Sequence, residues 1–232
     1  MALHVFGDSH AQYLFSRVPE AKVHWLRART MHRVGRDGVD FFEPHVEDGD
    51  TVLCVFGEVD VRCHIVRLGR ERSDGIGGIA RDVARRYVDA VVMASIRLPG
   101  STLAVMGVVP PINPMKANVE LPVVGSLAER IEAREALNRT LDQCCSSSGI
   151  IYVPVPKTFE RPDGSLRRHL SDGHAHIAMD CAEPVCQAAA EKLGMSLSFQ
   201  RPSAVAGGLK AAGRRLAIAG RHHLALYKLG TL

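Results

Sequence analysis

The sequence has no Cys-x-x-Cys pair, no internal repeat and no apolar run approaching the roughly 20 residues needed to span a bilayer. No charged, apolar and small-residue leader precedes the first strand-like segment, "ALHVF", so a cytoplasmic protein is expected. The six cysteines match no zinc spacing, and in a cytoplasmic chain of 232 residues they read as reduced, mostly buried thiols. An excess of one charge is also missing. A formal net charge of +4 is too weak a bias to imply nucleic acid as a partner. With 46% hydrophobic and 23% charged residues, the chain reads as a soluble globular domain with a sizeable core.

Strand-like and helix-like segments alternate. "ALHVF" precedes a helix that starts at Ser9 or His10. "AKVHWL" and "DTVLCVFG" follow, and the second is nearly continuous in apolar residues, as in strands covered on both faces. Over 79–96, Ala80, Val83, Ala84, Tyr87, Val91 and Ala94 recur at helical spacing, with Arg81, Asp82, Arg85, Arg86 and Asp89 opposite. "STLAVMGVV" reads as a strand closed by Pro110 and Pro111. Ser126 and Glu129 form a capping-box pattern for a helix to about Cys145. "IIYVPV" is the last strand, and a final helix runs to about Leu193 with Gly194 as its C-cap. This order predicts a three-layer α/β/α domain over 1–196, built on a parallel sheet whose ligands sit at the carboxyl ends of the strands. Residues 197–232 form a basic, Ala/Gly-rich extension, either packed on the domain or loosely ordered. It is alternatively an amphipathic arm for homo-oligomer contacts or an anionic surface.

Three clusters hold most of the reactive side chains. In Gly7-Asp8-Ser9-His10, a serine directly after a strand has an exposed hydroxyl near helix N-terminal N–H groups able to hold an oxyanion. Asp8 or Ser9 acting as a simple helix cap is the competing explanation. In "FGEVDVRCHI", 56–65, the alternation of Glu58, Asp60, Arg62 and His64 with apolar residues predicts an extended segment with four ionisable groups on one face. Such groups contact a ligand or form a structural ion-pair network. In "SDGHAHI", 171–177, Asp172 is spaced to orient His174 or His176 as a general base, or else Asp-Gly marks a surface turn.

Taken in this order, the clusters resemble the SGNH/GDSL-type hydrolases, in the branch whose serine block reads Gly-Asp-Ser-His. The resemblance covers residues 3–193 and implies a flavodoxin-like fold, no cofactor, and ester chemistry through an acyl-serine. It makes Ser9 the nucleophile, Asp172 and His176 the acid and base, and His174 the alternative base. It places Asp8, His10, Glu58, Asp60, Arg62 and His64 around the oxyanion or substrate, with Gly35 as a second oxyanion N–H. Two departures stand out: the family's Gly-x-Asn-Asp is here Gly57-Glu58-Val59-Asp60, so Val59 replaces the asparagine donor, and its Asp-x-x-His spacing falls on Ala175, so His176 is reached with one residue inserted after Gly173. The block is similar to a "GE[IV]D-x-R-x-H" variant in relatives associated with polysaccharide synthesis, where Arg62 or His64 would supply the positive group. The implied substrates are small-molecule or carbohydrate esters, O-acetyl groups foremost, by hydrolysis or acyl transfer.

Two other classes compete. Asp8, His10, His174 and His176 also resemble the outer ligand motifs of dinuclear-metal phosphoesterases, although the middle motifs are lacking. A domain of the same fold that binds a sugar or protein without chemistry is the other, favoured by the missing asparagine.

Overall fold

The computed structural model describes residues 1–27, 29–113 and 121–201. Five parallel strands form one sheet: β1 (Leu3–Gly7), β2 (Ala21–Trp25), β3 (Thr51–Val55), β4 (Thr102–Met106) and β5 (Ile151–Val153). They lie in the spatial order β2-β1-β3-β4-β5. β1 and β3 are buried along their whole length. Alternate residues therefore feed two cores, and both faces of each strand must be apolar. Val52 and Cys54 enter one core with Phe6, Tyr87 and Leu137, and Leu53 and Val55 enter the other with Leu14, Phe15 and Val185.

The first core is covered by α2 (Met31–Asp37), α4 (Gly75–Arg97) and α5 (Leu127–Ser148), and the second by α1 (Ser9–Phe15) and α6 (Glu183–Leu193). This is the expected three-layer α/β/α domain. The Ser126 capping box forms as its sequence predicts, with the Ser126 hydroxyl accepting from Glu129 N and Glu129 accepting from Ser126 N. Gly194 ends α6 in the left-handed conformation.

The segment after β3 differs from the expectation. Residues 56–65 are not extended. The chain turns at Gly57, with φ of 114°, and enters a helix whose π-turn segment (Asp60–Ile65) continues into α3 (Val66–Glu71). Glu58 and Arg62 stand four residues apart and form a buried two-pronged ion pair, which this helix permits and an extended chain does not. Glu58, Asp60 and Arg62 are buried with their apolar neighbours, and a helix buried all round carries no amphipathic signal.

Of the C-terminal extension, only residues 197–201 are described. They lie against the domain: Ser198 donates to Glu20, Gln200 N–H donates to the Arg17 carbonyl, and Arg201 pairs with Glu183. The remainder, 202–232, lies outside the described residues. Among the described residues, no helix is long and apolar enough to cross a membrane.

Candidate active site

In this strand order the chain's direction of travel reverses between β1 and β3, and the carboxyl ends of those two strands frame a crevice. β1 ends at Gly7, where a Cβ would sit 2.2 Å from the Val55 carbonyl oxygen and 2.8 Å from Ala11 Cβ. Only glycine allows the first turn of α1 to approach β3 this closely. The competing explanations for the serine block then separate. Asp8 is the cap, its Oδ1 accepting from His10 N at 2.8 Å, while Ser9 is the first helical residue. The Ser9 hydroxyl is left for other partners.

Its partner is His176. Ser9 Oγ and His176 Nε2 are 2.8 Å apart, and His176 Nδ1 and Asp172 Oδ2 are also 2.8 Å apart. Ionised Asp172 accepts the Nδ1 proton, so Nε2 carries a lone pair and accepts from the Ser9 hydroxyl. Burial opposes the charge on Asp172. Hydrogen bonds from His176 and from the backbone of His174 and His176 outweigh it and hold the carboxyl below its ordinary range. Burial also lowers the pKa of His176, against the raising effect of Asp172 and with the help of nearby His10. The imidazole is therefore neutral at neutral pH and free to take a proton.

His10 supports this arrangement. Its Nδ1 meets Asp8 Oδ1 at 2.9 Å and its Nε2 meets the Ala175 carbonyl at 3.1 Å. Both partners are acceptors, so the ring carries both N–H groups and is an imidazolium. Burial disfavours that charge, but Asp8 outweighs it and lifts the His10 pKa to about 9. His10 thus ties the first turn of α1 to the loop that carries His176. Tyr13, one turn beyond Ser9 on the same helix face, stacks on His176 with ring centres 3.8 Å apart and planes 12° apart. Tyr13 belongs to none of the three sequence clusters, although its spacing of four from Ser9 marks the position.

The remaining expected site residues are distributed as follows. Asp60 is fully buried and accepts from Met31 N at 2.8 Å and His32 N at 3.2 Å, capping α2. Burial, opposed by those two amides, lifts its pKa to about 7. Arg62 spends Nε and Nη2 on Glu58 and Nη1 on the Leu121 carbonyl, so its guanidinium is not the missing oxyanion donor. Val59 and His64 do line the cavity beside Ser9. Burial, reinforced by Arg67, lowers the His64 pKa. Gly35 is not brought to Ser9. It lies within α2, where a Cβ would stand 3.0 Å from backbone atoms of Arg86 and Tyr87, so its smallness serves helix packing. His174 is exposed, and its backbone N–H donates to Asp172. Of the four side chains of the metal alternative, Asp8 and His10 are hydrogen-bonded to each other and His10 lies beside His176, whereas His174 is exposed; among the described residues no group of three or more His, Cys, Asp or Glu side chains is placed to hold a metal ion.

The N–H of Ser9 has no acceptor among the described residues, as expected at the first position of a helix. A hydroxyl, a neutral imidazole, an orienting carboxylate and an amide without an acceptor among the described residues thus meet at the start of α1. Such a set can transfer a proton, form a covalent bond and stabilise an oxyanion.

No protein-family profile and no curated protein sequence matches this chain. Solved structures do. A Streptococcus pneumonia protein, provisionally named a platelet activating factor, is similar at a TM-score of 0.59 with 14% identity, over 82% of this chain and 83% of that one. A GDSL-like lipase from Bacteroides thetaiotaomicron VPI-5482 is similar at 0.54 with 12% identity, over 83% and 88%. A catalytic mutant of Axe2, an acetylxylan esterase from Geobacillus stearothermophilus, is similar at 0.52 with 12% identity, over 84% and 94%. The chain has the three-layer α/β/α fold of the SGNH hydrolases.

Proposed function

We propose that this chain is a serine esterase or O-acyltransferase of the SGNH type, acting on small-molecule or carbohydrate esters, O-acetyl groups foremost. The observation that carries the proposal is the unbroken hydrogen-bonded series from Ser9 through His176 to Asp172. His176 Nε2 takes the hydroxyl proton as Ser9 Oγ bonds to the ester carbonyl carbon. Asp172 holds the Nδ1–H of the resulting imidazolium. Charge on the carbonyl oxygen is met by the Ser9 N–H. Collapse of the tetrahedral species breaks the ester C–O bond. The leaving alkoxide takes the proton from His176, leaving acyl-Ser9. Water, deprotonated by His176, then bonds to the acyl carbon, the bond to Ser9 Oγ breaks and Ser9 takes the proton back from His176, which gives hydrolysis; a sugar hydroxyl in place of water gives acyl transfer. No step needs a cofactor.

Labelling with a fluorophosphonate, followed by peptide mass spectrometry, tests this. The expected result is one adduct, on Ser9, absent from Ser9→Ala and lost in His176→Ala. Folded protein that takes no label would instead be a binding domain of the same fold. Val59, standing where the family pattern has a side-chain donor, is the observation that favours this second reading.

A further inference from the structure

The Ser9 cavity holds about 700 Å³, and six arginines are among its lining residues. Arg27 and Arg29 lie in the loop between β2 and α2, Arg33 and Arg36 on α2, and Arg67 and Arg72 on and just after α3. Two carboxylates share the lining, and both are committed: Asp8 to His10, and Asp60 to the amides that open α2. Arg29 and Arg36 pair with Asp37. Among the described residues, no carboxylate pairs with Arg27, Arg67 or Arg72. Arg27 instead lies over the ring of Trp25, 4.6 Å from its centre. Trp25 is 46% exposed and faces the same cavity. Like charges gathered on one concave wall repel each other unless an anion enters, and a cleft with low-dielectric walls concentrates that field. Guanidinium groups also match the paired oxygens of phosphate and carboxylate.

We infer that the esters turned over at Ser9 carry a phosphate or carboxylate on their non-reacting part, held by the arginine wall of this cavity. This rests on the acyl-serine proposal above. Arg27, Arg67 and Arg72, which pair with no carboxylate among the described residues, are the primary contacts, and Trp25 supplies an apolar surface beside them.

Three matched aryl acetates test it: methyl 4-acetoxybenzoate, 4-acetoxybenzoate and 4-acetoxyphenyl phosphate. At low ionic strength kcat/KM for the anionic esters should exceed that for the neutral one by about tenfold or more, a preference that salt reduces. Preference for one anionic ester over the other identifies phosphate or carboxylate as the group held. In Arg67→Glu the ratio of anionic to neutral kcat/KM should fall. Equal or higher kcat/KM for the neutral ester would overturn the inference. Calorimetric titration of Ser9→Ala protein with 4-hydroxyphenyl phosphate and with hydroquinone reads the subsite without catalysis. Tighter binding of the phosphate, weakened by Arg67→Glu, supports the anionic subsite even where Ser9 takes no fluorophosphonate and the acyl-serine proposal falls. Equal binding overturns it.

Discussion

The His10 imidazolium donates to the carbonyl of Ala175, so a residue of the first turn after β1 holds in place the loop that presents His176. Asp8 neutralises the cation on the other side. His10→Asn should break this tie and leave the Asp8 charge buried without its partner. Loss of one member of a buried pair costs about 3–5 kcal/mol. Urea unfolding should show a loss of that order. Because the His10 charge lowers the His176 pKa, the acid limb of the kcat/KM profile should move to higher pH in the variant. An unmoved limb would mean that His10 acts on stability alone.

Tyr13 covers one face of the His176 ring. Aromatic stacking contributes about 0.5–1.5 kcal/mol, so Tyr13→Ala should lower kcat by a few-fold to about tenfold with a smaller change in KM. Tyr13→Phe keeps the ring and should retain most of the activity. Comparable losses in both variants would assign the effect to the hydroxyl.

Val59 lines the cavity beside Ser9 and offers no side-chain donor. If the oxyanion is short of one hydrogen bond, Val59→Asn should raise kcat on a simple acetate ester by about tenfold or more. Loss of such a donor elsewhere costs about 10²–10³ in rate. Unchanged kcat in a folded variant would mean that another group already meets the oxyanion.

His24 stacks on Phe6, shares a ring-nitrogen hydrogen bond with His4 and packs at a tilt against His45. Burial first, and then the charges of His45, His4 and Lys22, lower its pKa from 6.5 to about 4. Between those values the unfolded chain binds more protons than the folded one, so this residue's contribution to stability rises with pH through that window and is complete above it. His24→Phe keeps the stack and should flatten the fall in stability seen on acidification from about pH 6.5 to 4. Equal slopes in urea unfolding across that range would show that another group carries the effect.

What was legible in the sequence follows from where each signal originates. β1 and β3 were legible because burial on both faces demands continuous apolar runs, and α5 because a capping box is written in two residues, Ser126 and Glu129. Ser9, Asp172 and His176 were legible through family resemblance, and the structure brings them together. The helix after Gly57 reads as extended in the sequence, because a buried helix has no polar face and chance alternation then dominates. Gly35 looked like an oxyanion donor because a glycine required by helix packing and one required for a free N–H are the same letter. The arginine wall was invisible for another reason. On α2 and α3 these residues have the spacing of any solvent-facing cation, and only the fold turns the two surfaces into one concavity.

Ser9 and His176 are 167 positions apart along the chain, yet share a hydrogen bond. During synthesis the serine emerges first, and β2, β3, β4 and β5 are all made before His176 follows. The two meet when the loop before α6 docks beside α1. On the acyl-serine proposal, a growing or partly folded chain therefore presents an ordinary hydroxyl, and reaction with stray acyl compounds is deferred until that loop docks. The appearance of fluorophosphonate reactivity would in turn report the end of folding rather than its beginning.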